Sequence, residues 1–226
     1  MDNIVFMTFK QEHLLSTALD RLKDRPVTEE YAVLQAAALR KASGRIAAER
    51  DYRFSGDEED ARHLTNDLID SLVSVLSGPI GSLIGGYTGP LLDAGLNAKQ
   101  IVEESGMIEA IAAKLNEDEW ALLALAREHN EISLSSRLNA LGASAVVRKD
   151  AALVAYEIMN AREVQEEWEE RYGTLDIASA DDALKESIRG ELRERANRNS
   201  FEQEQAVRDS LQGDFEYLRN KVPRHG

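Results

Sequence analysis

An α+β fold is predicted by three features of the sequence. Short extended apolar runs stand near both ends of the first 150 residues, amphipathic helical stretches follow them, and a glycine-rich, charge-free segment lies between. With 226 residues, 43% of them apolar and 30% charged, the chain is long enough for a real core and too apolar to be disordered throughout. Only 6% of residues are aromatic, so that core is expected to consist mainly of Ala, Leu, Ile and Val.

The segment Ile4 to Phe9 is too short to cross a bilayer, and Met1 to Lys10 lacks the basic start and small-residue cleavage site of a secretory signal. It is read as a strand. Gln11 to Asp24 places Leu14, Leu15, Ala18 and Leu22 at helical spacing and stops before Pro26. Tyr31 to Leu39 is a continuous apolar run, and Gly44 supplies a turn into a second extended segment. There Ile46, Ala48, Tyr52 and Phe54 alternate with charged residues, which predicts one wet and one buried face. Arg50 falls on the apolar side, so this strand is expected at a sheet edge.

Asp57, Glu58, Glu59 and Asp60, with His63 beyond them, open the next helix, where carboxylates complement exposed N–H groups. Their consecutive spacing differs from that of a calcium loop. Leu64 to Leu76 carries a helical apolar stripe, broken at Ser77, Gly78 and Pro79. Ser71 to Leu92 is uncharged over 22 residues, a bilayer-spanning length, but it is diluted by glycines, two prolines and small polar residues. Within it Gly81, Gly85 and Gly89 recur at every fourth position and present bare backbone on one helix face. That face suits either a tight hairpin inside one chain or contact with a second copy or a membrane. No GKS, GKT or GxGxxG pattern makes it a phosphate loop.

Asn97 caps a helix from Ala98 through Glu104, and Met107 to Leu115 continues it past a kink at Ser105 and Gly106. Trp120 to Ala126 reads as a buried strand, Ser133 to Leu141 as a short helix closed by Gly142, and Ala143 to Arg148 as a further strand. Two strand–helix–strand units around one sheet predict a ferredoxin-like sandwich over residues 1–150, with helices inserted at about 57–116. Residues 151–226 are expected to form a helical extension. From residue 161 onward 27 of 66 residues are charged, against 41 of the first 160. Leu184, Ile188 and Leu192, then Val207, Leu211, Phe215, Leu218 and Val222, give narrow stripes that must lean on another surface.

GSLIGGYTGPLLDAGLNAKQIVEESG, followed by EWALLALARE, resembles the bacterial domain of unknown function 1269 family over about Asp2 to Arg148. Leu92, Asp93, Gly95 and Leu96 stand in the turn that the family has after its glycine-rich helices. The resemblance implies a protein associated with membranes and stress responses, and it brings no catalytic residues.

Forty-one acidic residues against 27 basic give a net charge of -14, which repels a polyanion, so no nucleic-acid partner is expected. Without cysteine there is no disulfide, thiolate nucleophile or iron–sulfur site, in keeping with a cytoplasmic location. His13, His63, His129 and His225 form no metal-ligand spacing, no GxSxG elbow is present, and neither Trp120 nor Trp168 lies in a basic stretch. The expected function is therefore a non-enzymatic interaction protein without cofactor or metal. It is expected to form a homo-oligomer through Gly81, Gly85, Gly89, Leu184, Ile188, Leu192, Leu211 and Phe215, with a peripheral contact at the inner face of the membrane. The alternatives are a small-molecule or metal-binding enzyme with its site between the sheet and the inserted helices, and an integral membrane protein through residues 71–92.

Overall fold

The computed structural model describes residues 2–53, 68–85, 97–173, 181–192 and 194–195. In chain order these form β1 (Asp2–Phe9), α1 (Glu12–Asp24), β2 (Tyr31–Ala42), β3 (Arg45–Arg53), α2 (Leu68–Ser77), α3 (Pro79–Gly85), α4 (Ala98–Ser105), α5 (Met107–Lys114), β4 (Trp120–Glu128), α6 (Glu131–Ala140), β5 (Ser144–Asp150) and α7 (Ala151–Tyr172). Residues 182–192 are also helical. The acidic cluster Asp57 to Asp60, His63, Gly89, Leu211 and Phe215 lie outside the described residues.

The five strands make one antiparallel sheet in the order β3-β2-β4-β1-β5. β1 and β2 run parallel to each other with β4 between them, joined by α1; β4 and β5 run parallel with β1 between them, joined by α6. Both crossover helices lie on one face. Leu15, Ala18, Leu19 and Leu22 of α1 and Leu134 and Leu138 of α6 pack there against Val5, Met7, Val33, Ala36, Leu122 and Ala124.

The central strands read as continuous apolar runs because their other face is covered as well. Ile4, Phe6, Leu39, Leu123 and Leu125 point into a larger core built with α2 to α5 and α7. Helix α7 contributes Val154, Ile158, Ala161, Val164 and Trp168 to this core, each buried aliphatic side chain contributing about 1.5–3 kcal/mol. Thus the start of the charged extension is part of the sheet's cover, and the molecule has three layers, helices on either side of the sheet.

β3 is an edge strand, which gives Arg50 the solvent access its charge requires; it lies 3.7 Å from Glu12. The expected single apolar face of β3 is not what forms. A bulge lets Ala48 pair with Leu39 while Arg50 pairs with Ala38, so Glu49 is skipped and the alternation changes phase. Ile46 consequently enters the larger core, whereas Tyr52 packs on the opposite face under the Lys23 ammonium, 3.7 Å from its ring centroid. The β2–β3 turn has positive φ at Ser43 and Gly44, +52° and +74°, the backbone twist that a two-residue hairpin needs.

At one end of the sheet a buried ion pair ties three strands together. Arg148 of β5 donates from Nε and Nη2 to the Glu128 carboxylate at 2.9 and 3.0 Å, and Asn3 of β1 donates to the same group at 3.0 Å. With these bonds the Glu128 charge is satisfied inside the fold.

Over its described part the uncharged segment folds as two short helices, broken at Gly78, whose apolar side chains Leu72, Val75, Leu76, Ile80, Leu83 and Ile84 enter the core. No helix among the described residues is long and apolar enough to cross a membrane. The α2–α3 corner is tight. A Cβ added at Gly81 would stand 2.0 Å from the carbonyl oxygen of Leu76, a separation no packing adjustment tolerates. Gly81→Ala is therefore expected to cost about 3 kcal/mol, read as a lower urea midpoint with an unchanged slope; an unchanged midpoint would show that the corner is not tight.

Candidate functional site

Gly81 and Ile188, taken from the sequence as self-association residues, are both buried within their own chain, Gly81 against Leu76 and Ile188 fully covered in the larger core. Leu184 and Leu192 are partly buried against the same core, and Gly85 ends α3. What holds the 182–192 helix in place is polar as well as apolar. Arg189, 3% exposed, donates to the carbonyl oxygen of Leu83 at 3.0 Å and so closes the end of the glycine-containing helix α3. Beyond it Arg195 bonds Glu167 at 2.7 Å, Glu191 at 2.9 Å and Glu163 at 3.3 Å, and Trp168 Nε1 donates to Glu191 at 3.1 Å.

The 182–192 helix, α3, α4, α5 and α7 together border a cleft of about 40 Å³, lined by Ile84, Ser105, Ile108, Glu109, Glu157, Asn160, Ala161 and Leu192. Its lining combines apolar side chains, Ile84, Ile108 and Leu192, with the polar Ser105, Glu109, Glu157 and Asn160. Glu109 and Asn160 are each 6% exposed. The space is enough for a few water molecules.

Glu157 is the best-defined group of this cleft. Its Oε2 accepts from the backbone N–H groups of Met107 and Ile108, at 2.8 and 3.1 Å, which are orphan donors at the start of α5. Its Oε1 forms an ion pair with Lys149 of β5. Gly106 makes this approach possible: it has φ +100°, and a Cβ there would stand 2.8 Å from the Glu157 carboxylate. Burial pushes the Glu157 carboxyl above the ordinary glutamate range, and Lys149 and the two amides offset only part of that. Sequence patterning marked the kink at Ser105 and Gly106 but not the carboxylate that the kink admits. The available signal was a single acid, Glu157, inside the apolar run from Ala151 to Ala161.

A second feature is the outer face of α7. The first half of this helix, residues 151–161, is apolar apart from Glu157 and Asn160, which line the cleft, so an apolar side is left over when the other is buried. Leu153, Tyr156 and Met159 are 37%, 45% and 44% exposed, and Ala152 and Ala155 are exposed beside them. Among the described residues only two other large apolar side chains, Val27 and Ile132, are comparably exposed, and neither belongs to α7. No group of three or more His, Asp or Glu side chains that could hold a metal ion is found among the described residues. Comparison with models of known protein families, with curated proteins and with solved structures finds no match.

The Glu157 carboxyl provides a pH test of the cleft. Its folded pKa lies above the unfolded one, near 4.5, so the folded state holds the proton more tightly. The stability it contributes is full below pH 4.5 and is lost as pH rises through the folded pKa. Glu157→Gln is expected to remove that part of the decline, measured as the difference in urea stability between acid and neutral pH for the two proteins. An identical pH dependence in both would show that Glu157 titrates normally.

Proposed function

We propose that the protein is a non-enzymatic interaction protein that self-associates, and that the outer face of α7 is its contact surface. The observation that carries this reading is the concentration of exposed large apolar side chains on one helix: three of the five among the described residues are Leu153, Tyr156 and Met159. Gly81 and Ile188 are already used inside the chain, so α7 takes the place that the glycine face and the 184–192 stripe hold in the sequence-based expectation. The strand order β5-β1-β4-β2, with its two split crossovers and β3 added at the edge, supports the ferredoxin-like form of the fold, which belongs to the same proposal.

The cleft favours a second reading, a small-molecule-binding protein or enzyme with its site beneath the inserted helices. Glu109, Glu157, Asn160 and Ser105 converge there beside apolar walls, and the Glu157 carboxyl is displaced from its usual range. The two readings make different demands on Tyr156, which is not part of the cleft lining.

Light scattering over a concentration series tests the first reading. The wild-type chain is expected to rise above 25.1 kDa as concentration increases, and Tyr156→Glu, which places a charge on an exposed position, to stay at the monomer mass with unchanged circular dichroism. A wild-type chain that remains monomeric throughout, or equal masses for both proteins, overturns it.

A further inference from the structure

We propose that the 182–192 helix is a strap over the cleft at Glu109, Glu157 and Asn160, released from the fold as a unit while the sheet and α7 stay in place. The inference goes beyond self-association and concerns how the cleft is entered. Closed, the cleft has about 40 Å³, room for a few water molecules, so anything larger enters only when a wall moves. Leu192, at the end of this helix, is one of those walls.

The helix contributes little to the core. Of residues 182–192 only Ile188 and Arg189 are buried, with Leu184 and Leu192 half-buried, whereas α7 buries Val154, Ile158, Ala161, Val164 and Trp168. One of the two buried residues is a cation, whose desolvation is offset by its hydrogen bond to the Leu83 carbonyl rather than by packing. The segment is also weak as a helix. Gly190 is exposed, and nothing stands within 4 Å of where its Cβ would be, so glycine here lowers helix propensity and serves no close approach. An isolated helix of this length does not persist in water, so its release is also a local unfolding.

Its far end is fastened electrostatically. Arg195 bonds Glu163 and Glu167 of α7, whose side chains are 51% and 39% exposed and therefore open to screening by salt. Arg195 also bonds Glu191, which accepts from Trp168 Nε1. Release breaks the two pairs with α7, takes Glu191 from the indole and Leu192 from the cleft. It thereby exposes the Nε1 edge of Trp168 and opens the cleft beside Ala161.

The chain has no cysteine, and Ala161 lines the cleft at 1% exposure, so a thiol placed there reports entry. In Ala161→Cys, alkylation by N-ethylmaleimide is expected to quicken with salt. Adding Arg195→Gln is expected to raise the low-salt rate about fivefold and to remove most of its rise with salt. Adding Gly190→Ala, which stabilises the closed helix, is expected to lower the rate about fivefold. Two measurements need no new thiol. In Trp120→Phe, acrylamide quenching of Trp168 is expected to increase with salt and with Arg195→Gln. In the wild-type chain, amides of residues 184–192 are expected to exchange hydrogen at least about tenfold faster than those of β1 and β4. Exchange as slow as in β1 and β4, or equal alkylation rates with and without Arg195→Gln, overturns the strap. Fast exchange with Trp168 still shielded overturns it too, since the helix then frays in place. None of these outcomes depends on the mass of the assembly, so the strap and the self-association reading fail separately.

Discussion

The sheet carries apolar side chains on both faces, and most of the architecture follows from the need to cover them. Val5, Met7, Leu122 and Ala124 point one way, and Ile4, Phe6, Leu123 and Leu125 the other. The two crossover helices α1 and α6 cover only the first face, since both lie on the same side of the sheet. The second face must then be covered by other segments, namely the inserted helices and α7. This requirement joins the beginning of the charged extension to the core and places Trp168 and Ile188 beside residues of the sheet.

Building a second layer from the four short helices α2 to α5 together with α7 buries helix ends, and each buried end needs a polar partner. Glu157 serves the start of α5, Arg189 serves the carbonyl of Leu83 in α3, and Lys41 of β2 donates to the Ala112 carbonyl near the end of α5. Burial lowers the Lys41 ammonium pKa, while Glu117 acts in the opposite direction. These groups come from elements distant in sequence, so they also lock the helices to the sheet and to the 182–192 helix. The cleft at Glu109, Glu157 and Asn160 lies where five such elements meet without closing completely.

A helix that covers a sheet has only one face to bury, and α7 is apolar on more than one. Leu153, Tyr156 and Met159 therefore remain outside. The glycines fall on the other side of this division. Gly81 permits the close α2–α3 corner, and its bare backbone faces Leu76 of the same chain.

Much of the element order was legible in the sequence because it depends on local patterning. The strand at Ile4 to Phe9, the hairpin through Gly44, the Asn97 cap, the break at Gly78 and the helix closed by Gly142 all arise from residues within a few positions of one another. The α6 helix begins earlier than its apolar residues suggested, at Glu131, because Asn130 accepts from the Ile132 N–H. The phase change in β3 was not legible, because a bulge is fixed by the partner strand β2. Nor was the fate of the apolar stripes: Leu184, Ile188 and Leu192 have a spacing that suits any apolar surface, and only the packed chain shows that their surface is its own core. The sequence by itself determined the mixed α+β class, the surplus of negative charge and the absence of thiols. Tertiary structure decided which faces are buried, which carboxylate is displaced by burial, and which apolar side chains remain outside, because each depends on contacts between segments far apart in the chain.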